Sequence, residues 1–180
     1  MCSDSDIKIV GNKPSEDIRR HKNAAVQNAV DNDLKRKARL IGKEVAEVFV
    51  DEVKCSGIGE MDNNEMVAQR GLLLSFAATV GFESFIQDDT LSGLAQKSFL
   101  DTVKKTDAQL YKASSEMSAF SFYYLAYRRG TDTIRRIGQT FAMLCSHDGD
   151  PIFQEMGEAL YCWFSSEVKE IVEKYLSENQ

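Results

Sequence analysis

Four arginines, Arg128, Arg129, Arg135 and Arg136, fall within nine residues and carry the plainest chemical potential in this chain. Arg128 and Arg129 precede Gly130, where a helix is expected to end and cations answer its partial negative charge. Arg135 and Arg136 fall in the opening turn or so of the next helix, where a cation is mildly unfavourable, so this second pair needs another reason. Backbone N–H groups at a helix start, joined by guanidinium forks, can hold phosphate or carboxylate. Arg128, Arg129, Thr131, Arg135 and Arg136 are therefore a candidate anion site. The competing reading is ordinary pairing with the acids, which outnumber the bases 28 to 22.

His147-Asp148-Gly149-Asp150 has the look of a metal cluster, but His21 is the only other histidine. A helix end followed by a helix start explains the same residues through dipole preference, and no metal ligand is assigned. Cys2, Cys55, Cys145 and Cys162 form no close pair of the kind zinc sites use. Cys145 and Cys162 lie in apolar segments and read as small core residues. Phosphate-loop, dinucleotide, nucleophile-elbow and zinc-protease signatures are missing. No catalytic residue and no cofactor is assigned, and an enzyme is not the favoured reading.

Tyr123, Tyr124, Tyr127, Tyr161, Trp163 and Phe164 could line a ligand pocket, but core packing with hydroxyls at its margin is the favoured reading, because the heptad spacing already explains Tyr124 and Tyr127. Lys13 to Lys43 holds nine Lys or Arg against four acids. It could contact nucleic acid, yet no aromatic residue is interleaved for base stacking, and the chain as a whole carries a charge of -6. Nucleic acid is thus a disfavoured partner.

The elements that would position these groups are helical throughout. The 180 residues are 43% apolar and include two prolines, which permits long helices. Residues 1–14 lack periodicity and read as a flexible tail, with 15–180 as a single helical domain. Val26, Val30, Leu34, Ala38, Ile41, Val45 and Val48 form one stripe. A helix from 15 to 54 would be about 60 Å long, longer than a compact domain of this size, so it either breaks near Asp31-Asn32-Asp33 or projects from the body, and a break or bend is favoured. Asp62 with Glu65, and Met61 with Met66, predict a capping box and staple. The helix they open, running to about Phe85, is apolar nearly all round, with Gly71, Ser75 and Ala78 on a side open to close approach. Asp88 to Thr90 caps the next helix, to about Lys105.

Thr106 and Gln109 predict another capping box, opening a helix to Arg129 with a seam at Leu110, Ala113, Met117, Phe120, Tyr124 and Tyr127. Thr131 or Asp132 caps a further helix closed by Gly149. Asp150-Pro151 starts the last one, to Leu176. The expected core is Leu73, Leu74, Ala77, Val80, Phe120, Tyr124, Ile137, Phe141, Leu160 and Phe164.

The expected fold is all-α, a single-domain bundle of six to seven mostly antiparallel helices without a sheet. The start has no signal-peptide pattern and no apolar run reaches membrane-span length, so a cytoplasmic protein without membrane contact is expected. The favoured function is a non-catalytic protein-interaction module that self-associates as a homodimer. Its expected interface is the overhanging end of the last helix, Val168, Ile171, Val172 and Tyr175, unless Leu34 to Val53 covers that stripe within the chain. The alternatives are a small-molecule or anion-binding domain, conceivably an enzyme, using 123–136, and a regulator with a basic N-terminal helix.

Overall fold

The computed structural model describes residues 16–55, 64–114 and 117–177, with side chains over 27–54, 66–114 and 120–177. These residues are 90% helical, with no strand among them. The helices are α1 (Glu16–Cys55), α2 (Asn64–Phe85), α3 (Asp89–Thr106), α4 (Ala108–Ser114), α5 (Met117–Arg128), α6 (Thr133–Leu144) and α7 (Pro151–Leu176). The expected tail, and the capping box and staple at Met61 to Glu65, lie outside the described residues or side chains.

The chain divides into two compact units, Met1–Asp33 and Leu34–Gln180. In the first unit, α1 is helical from Glu16, Val30 is exposed, and Gln27 Nε2 donates to Asp31 Oδ1 at 3.2 Å. The break expected at Asp31 to Asp33 does not occur. Asp and Asn inside a helix cost only a few tenths of a kcal/mol each, and the length argument assumed one compact body where there are two.

The second unit is a helical bundle organised around α2. Its run Gly71-Leu72-Leu73-Leu74-Ser75-Phe76-Ala77-Ala78-Thr79-Val80 is buried throughout, because both sides of the helix face a core. Leu74, Ala77, Ala78 and Phe82 join Ile41, Val45 and Phe49 of α1, Ala95, Phe99 and Val103 of α3, and Phe164 and Val168 of α7. Leu72, Leu73, Phe76 and Val80 join Tyr123 and Ala126 of α5, Ile137, Phe141 and Ala142 of α6, and Phe153 of α7. Leu110 and Ser114 of α4 approach the Gly71 surface, on the small-residue side the sequence picks out.

Helices α6 and α7 pack at backbone distance. A Cβ on Gly138 would strike the Gln154 carbonyl oxygen, and one on Gly157 would lie 2.7 Å from Phe141 Cβ. The α7 start is as expected: Asp150 accepts from Ile152 N at 2.9 Å, with Pro151 following. Asp88 likewise caps α3, accepting from Leu91 N at 2.9 Å. Gly130 takes the left-handed conformation, φ 74°, after α5.

Several expectations need correction. The helix expected to run to Arg129 is described as α4 and α5, with residues 115–116 between them outside the described residues. Asp107, not Thr106, caps α4, accepting from Gln109 N at 3.1 Å and Leu110 N at 2.9 Å. Thr106 instead donates to Thr102 O. The α5 core face is Tyr123 and Ala126, while Phe120 and Tyr124 are half-buried beside it, as is Leu160 on α7. Asp132 occupies the α6 cap position in a left-handed conformation without a capping side-chain bond. Ser146, φ 62°, turns the chain after α6, ahead of Gly149.

The stripe named as a dimer interface on α7 is largely covered within the chain. Val168, Ile171 and Val172 are buried within the chain, in the cluster that holds Ile41, Val45 and Phe49 of α1. Tyr175 is half-buried, and its hydroxyl donates to Glu44 Oε2 at 2.7 Å; Lys174 Nζ donates to Glu44 Oε1 at 2.8 Å. The α1 stretch from Leu34 to Val53 covers the stripe, the alternative that the sequence leaves open.

Candidate functional site

The surface with the clearest means of recognition lies between α5 and α6. The helices are joined by the short turn Arg129–Asp132. On α5, Phe122, Leu125, Ala126 and Arg129 line a groove; on α6, Arg136, Gln139, Thr140 and Met143 do the same. Both sets follow the i, i+3, i+4, i+7 spacing of a single helix face. The groove encloses about 290 Å³. Ala126 is its buried floor, whereas Phe122, Leu125 and Met143 are 47%, 57% and 40% exposed.

Local structure explains why these side chains face outward. Tyr123 and Ala126 turn into the core of α2 and α6, so Phe122 and Leu125 are carried to the outside of α5. On α6, Ile137, Gly138 and Phe141 bury against α2 and α7, leaving Gln139 and Met143 outward. Arg136 is oriented by its own turn: Nε donates to Thr131 O at 2.9 Å. This contact gives Arg136 its reason to sit at a helix start. The turn brings Arg129 and Arg136 to one end of the groove, and Asp148, which follows α6, lines the opposite end.

The five residues of the expected anion site are only partly brought together. Arg129 and Arg136 share the groove, and Thr131 contributes its carbonyl to Arg136. Arg128 leans over the Tyr124 ring, 6.0 Å from its centroid, and Arg135 is exposed. Phe122, Leu125, Gln139, Thr140 and Met143 were not singled out from the sequence. Their signal was the same spacing, on the face opposite the misphased seam.

The aromatic residues serve mainly as core. Phe76 has the rings of Phe120, Tyr123, Tyr124 and Tyr127 within 5.3 to 6.2 Å. Tyr123 is fully buried, and its hydroxyl has no partner among the described residues. Burial, with the Cys145 thiol beside it, pushes its phenol well above the ordinary range. Tyr124 is raised by burial and by Glu83, whose Oε1 accepts from it at 3.5 Å. Tyr161 is raised by burial, although its hydroxyl bonds Ser165. Trp163 remains 38% exposed beside the buried Phe164.

Cys145 is buried as expected, but Cys162 is exposed. It lies on the outward side of α7, and partial burial followed by nearby Glu158 raises its thiol, which makes it a poor nucleophile. His147 stacks on Phe153 with centroids 3.7 Å apart. Among the described residues no group of three His, Cys, Asp or Glu could hold a metal ion, and no helix is long and apolar enough to cross a membrane. A second cavity, about 310 Å³ between α2, α3, α4 and α5, is lined by Ser75, Thr79, Gln96, Tyr111 and Ser114 with Leu100 and Phe120. Its Thr79 and Ser114 hydroxyls already bond carbonyls of their own helices.

No match exists for this chain. That holds against protein-family models, curated proteins and solved structures alike. The argument for function therefore rests on the α5–α6 groove and its chemistry.

Proposed function

We propose that this protein is a helical interaction module that self-associates through the α5–α6 face. The observation that carries the reading is the pair of facing stripes, whose large apolar members Phe122, Leu125 and Met143 stand exposed around one groove. Contiguous exposed apolar surface of this kind marks contact sites. The α7 stripe originally expected to pair is covered by α1, so the same activity is assigned to a different face.

A second copy fits this face by charge. Arg129 and Arg136 lie at the turn end and Asp148 at the other. An isologous contact applies one patch to its own copy. With the two α5–α6 pairs antiparallel across the two-fold, each arginine end meets the other copy's Asp148, and the apolar middles meet each other. Such complementarity sets orientation more than affinity.

Sedimentation velocity over a concentration series tests the reading. The wild type should dimerise by high micromolar concentration, and Leu125→Glu should be monomeric with an unchanged helical spectrum. A monomeric wild type, or a Leu125→Glu protein that still dimerises, would contradict it.

A further inference from the structure

A second groove, between α1 and α3, has the opposite character. It encloses about 530 Å³ and is lined by Arg36, Arg39, Lys43 and Lys105, with Glu47 its single carboxylate. Leu40 is the one apolar side chain in the lining; Thr102 adds a hydroxyl, while the Ser98 and Thr106 hydroxyls already donate to the carbonyl oxygens of Arg39 and Thr102. Four cations line the groove against one acid, an excess of positive charge even though Arg36 already engages a neighbouring group, in a chain whose total is -6. Concentrated in a concavity, that surplus focuses a positive potential.

Helix-end preference explains little of it. Lys105 does sit in the last turn of α3, where a cation is favourable. Arg36, Arg39 and Lys43 lie in the interior of α1, at i, i+3 and i+7. The carboxylate is weakly committed: Glu47 meets Lys43 at 3.5 Å with both side chains more than half exposed, a pair of little energetic weight. The groove walls are held at fixed spacing, because a Cβ on Gly42 would collide with the Ala95 carbonyl oxygen. Ser98 Oγ donates across the same contact to Arg39 O at 2.7 Å.

We infer that this groove binds a small polyphosphate, an anion carrying two or three linked phosphoryl groups. Arg36 to Lys43 spans about 10 Å along α1, too far for one phosphate to engage all three cations. Guanidinium forks and hydroxyls are the groups that recognise phosphate oxygens. The lining holds no aromatic side chain on which a base could stack, so the phosphoryl groups are the recognised part, and nucleic acid is not the ligand.

Calorimetric titration and thermal melts with tripolyphosphate, pyrophosphate, ADP, adenosine and a single-stranded oligonucleotide test this. Tripolyphosphate should bind and raise Tm by linkage, and adenosine should be silent. Equal affinity for ADP and pyrophosphate assigns the ligand to free phosphates, and tighter ADP assigns it to a nucleotide; either carries the proposal. Arg39→Gln with Lys43→Gln should weaken tripolyphosphate at least about tenfold, the loss of two charge-assisted contacts, with helicity intact. Lys169→Gln, on the distant surface of α7, should leave it unchanged. Absence of tripolyphosphate binding, equal loss in both variants, or tighter binding of the oligonucleotide than of tripolyphosphate would overturn the assignment.

Discussion

Tyr123 shows at the scale of one residue how apolar burial and polar chemistry conflict here. Its ring packs on Phe76 at 5.3 Å, while its hydroxyl has no partner among the described residues. An unsatisfied buried hydroxyl costs free energy that its removal recovers, so Tyr123→Phe should stabilise the protein by about 1 kcal/mol in denaturant melts. The raised phenol adds a pH signature. Stability from a group whose pKa rises on folding is complete below its unfolded value, near 10, and falls as pH climbs toward the folded value. The alkaline loss should therefore be smaller in Tyr123→Phe than in the wild type. Glu44 has the opposite sign. The Lys174 hydrogen bond lowers it below its ordinary 4.5, with burial opposing and Tyr175 assisting. Its contribution is present above the unfolded value and is lost as pH falls through the lower folded one. Glu44→Gln should flatten that acid limb and cost up to about 1 kcal/mol at neutral pH, since the pair is partly exposed.

Among the elements, α6 and α7 carry the most exacting contact. Phe141 is fully buried against Gly157, and Phe141→Ala should cost about 3–5 kcal/mol. Gly138→Ala should cost about 1–3 kcal/mol, since its new Cβ meets backbone that cannot rotate aside. A loss below half of either range in urea melts would mean that α6 and α7 are not so closely apposed. The legibility of elements followed their local signals. Asp88, Asp150-Pro151 and the uninterrupted apolar run of α2 announce themselves, because caps and all-round burial leave residue-level marks. The start of α4 is less plain: Asp107 caps it with a side chain that also suits a helix surface, next to a Thr106 that fits a capping box as well. A spacing drawn through Phe120 and Tyr124 placed the buried face of α5 one residue away from Tyr123. It thereby concealed Phe122 and Leu125, the apolar part of the candidate site. Arg129 and Arg136 were legible as an unusual cluster, but their convergence depends on the Gly130 turn and on the Arg136–Thr131 bond.

For the whole molecule, the decisive question was which helix covers which apolar stripe. Length and composition raised it for the end of α7 without answering it, because either α1 or a second copy could satisfy the same residues. The core made by Ile41, Val45 and Phe49 with Val168, Ile171 and Val172 answers it for α7. The exposed stripes of α5 and α6 then pose it afresh. Self-association through that face makes charge a directional constraint, and charge reversal tests it most directly. Sedimentation of Arg129→Asp, Asp148→Arg and the double variant, at one concentration where the wild type is dimeric, reads the constraint. The account predicts that each single variant shifts toward monomer and that the double variant recovers part of the dimer, because the new aspartate at position 129 then faces the new arginine at position 148 of the other copy while Arg136 is unchanged. Single variants that dimerise as the wild type does, or a double variant no better than either, would contradict it.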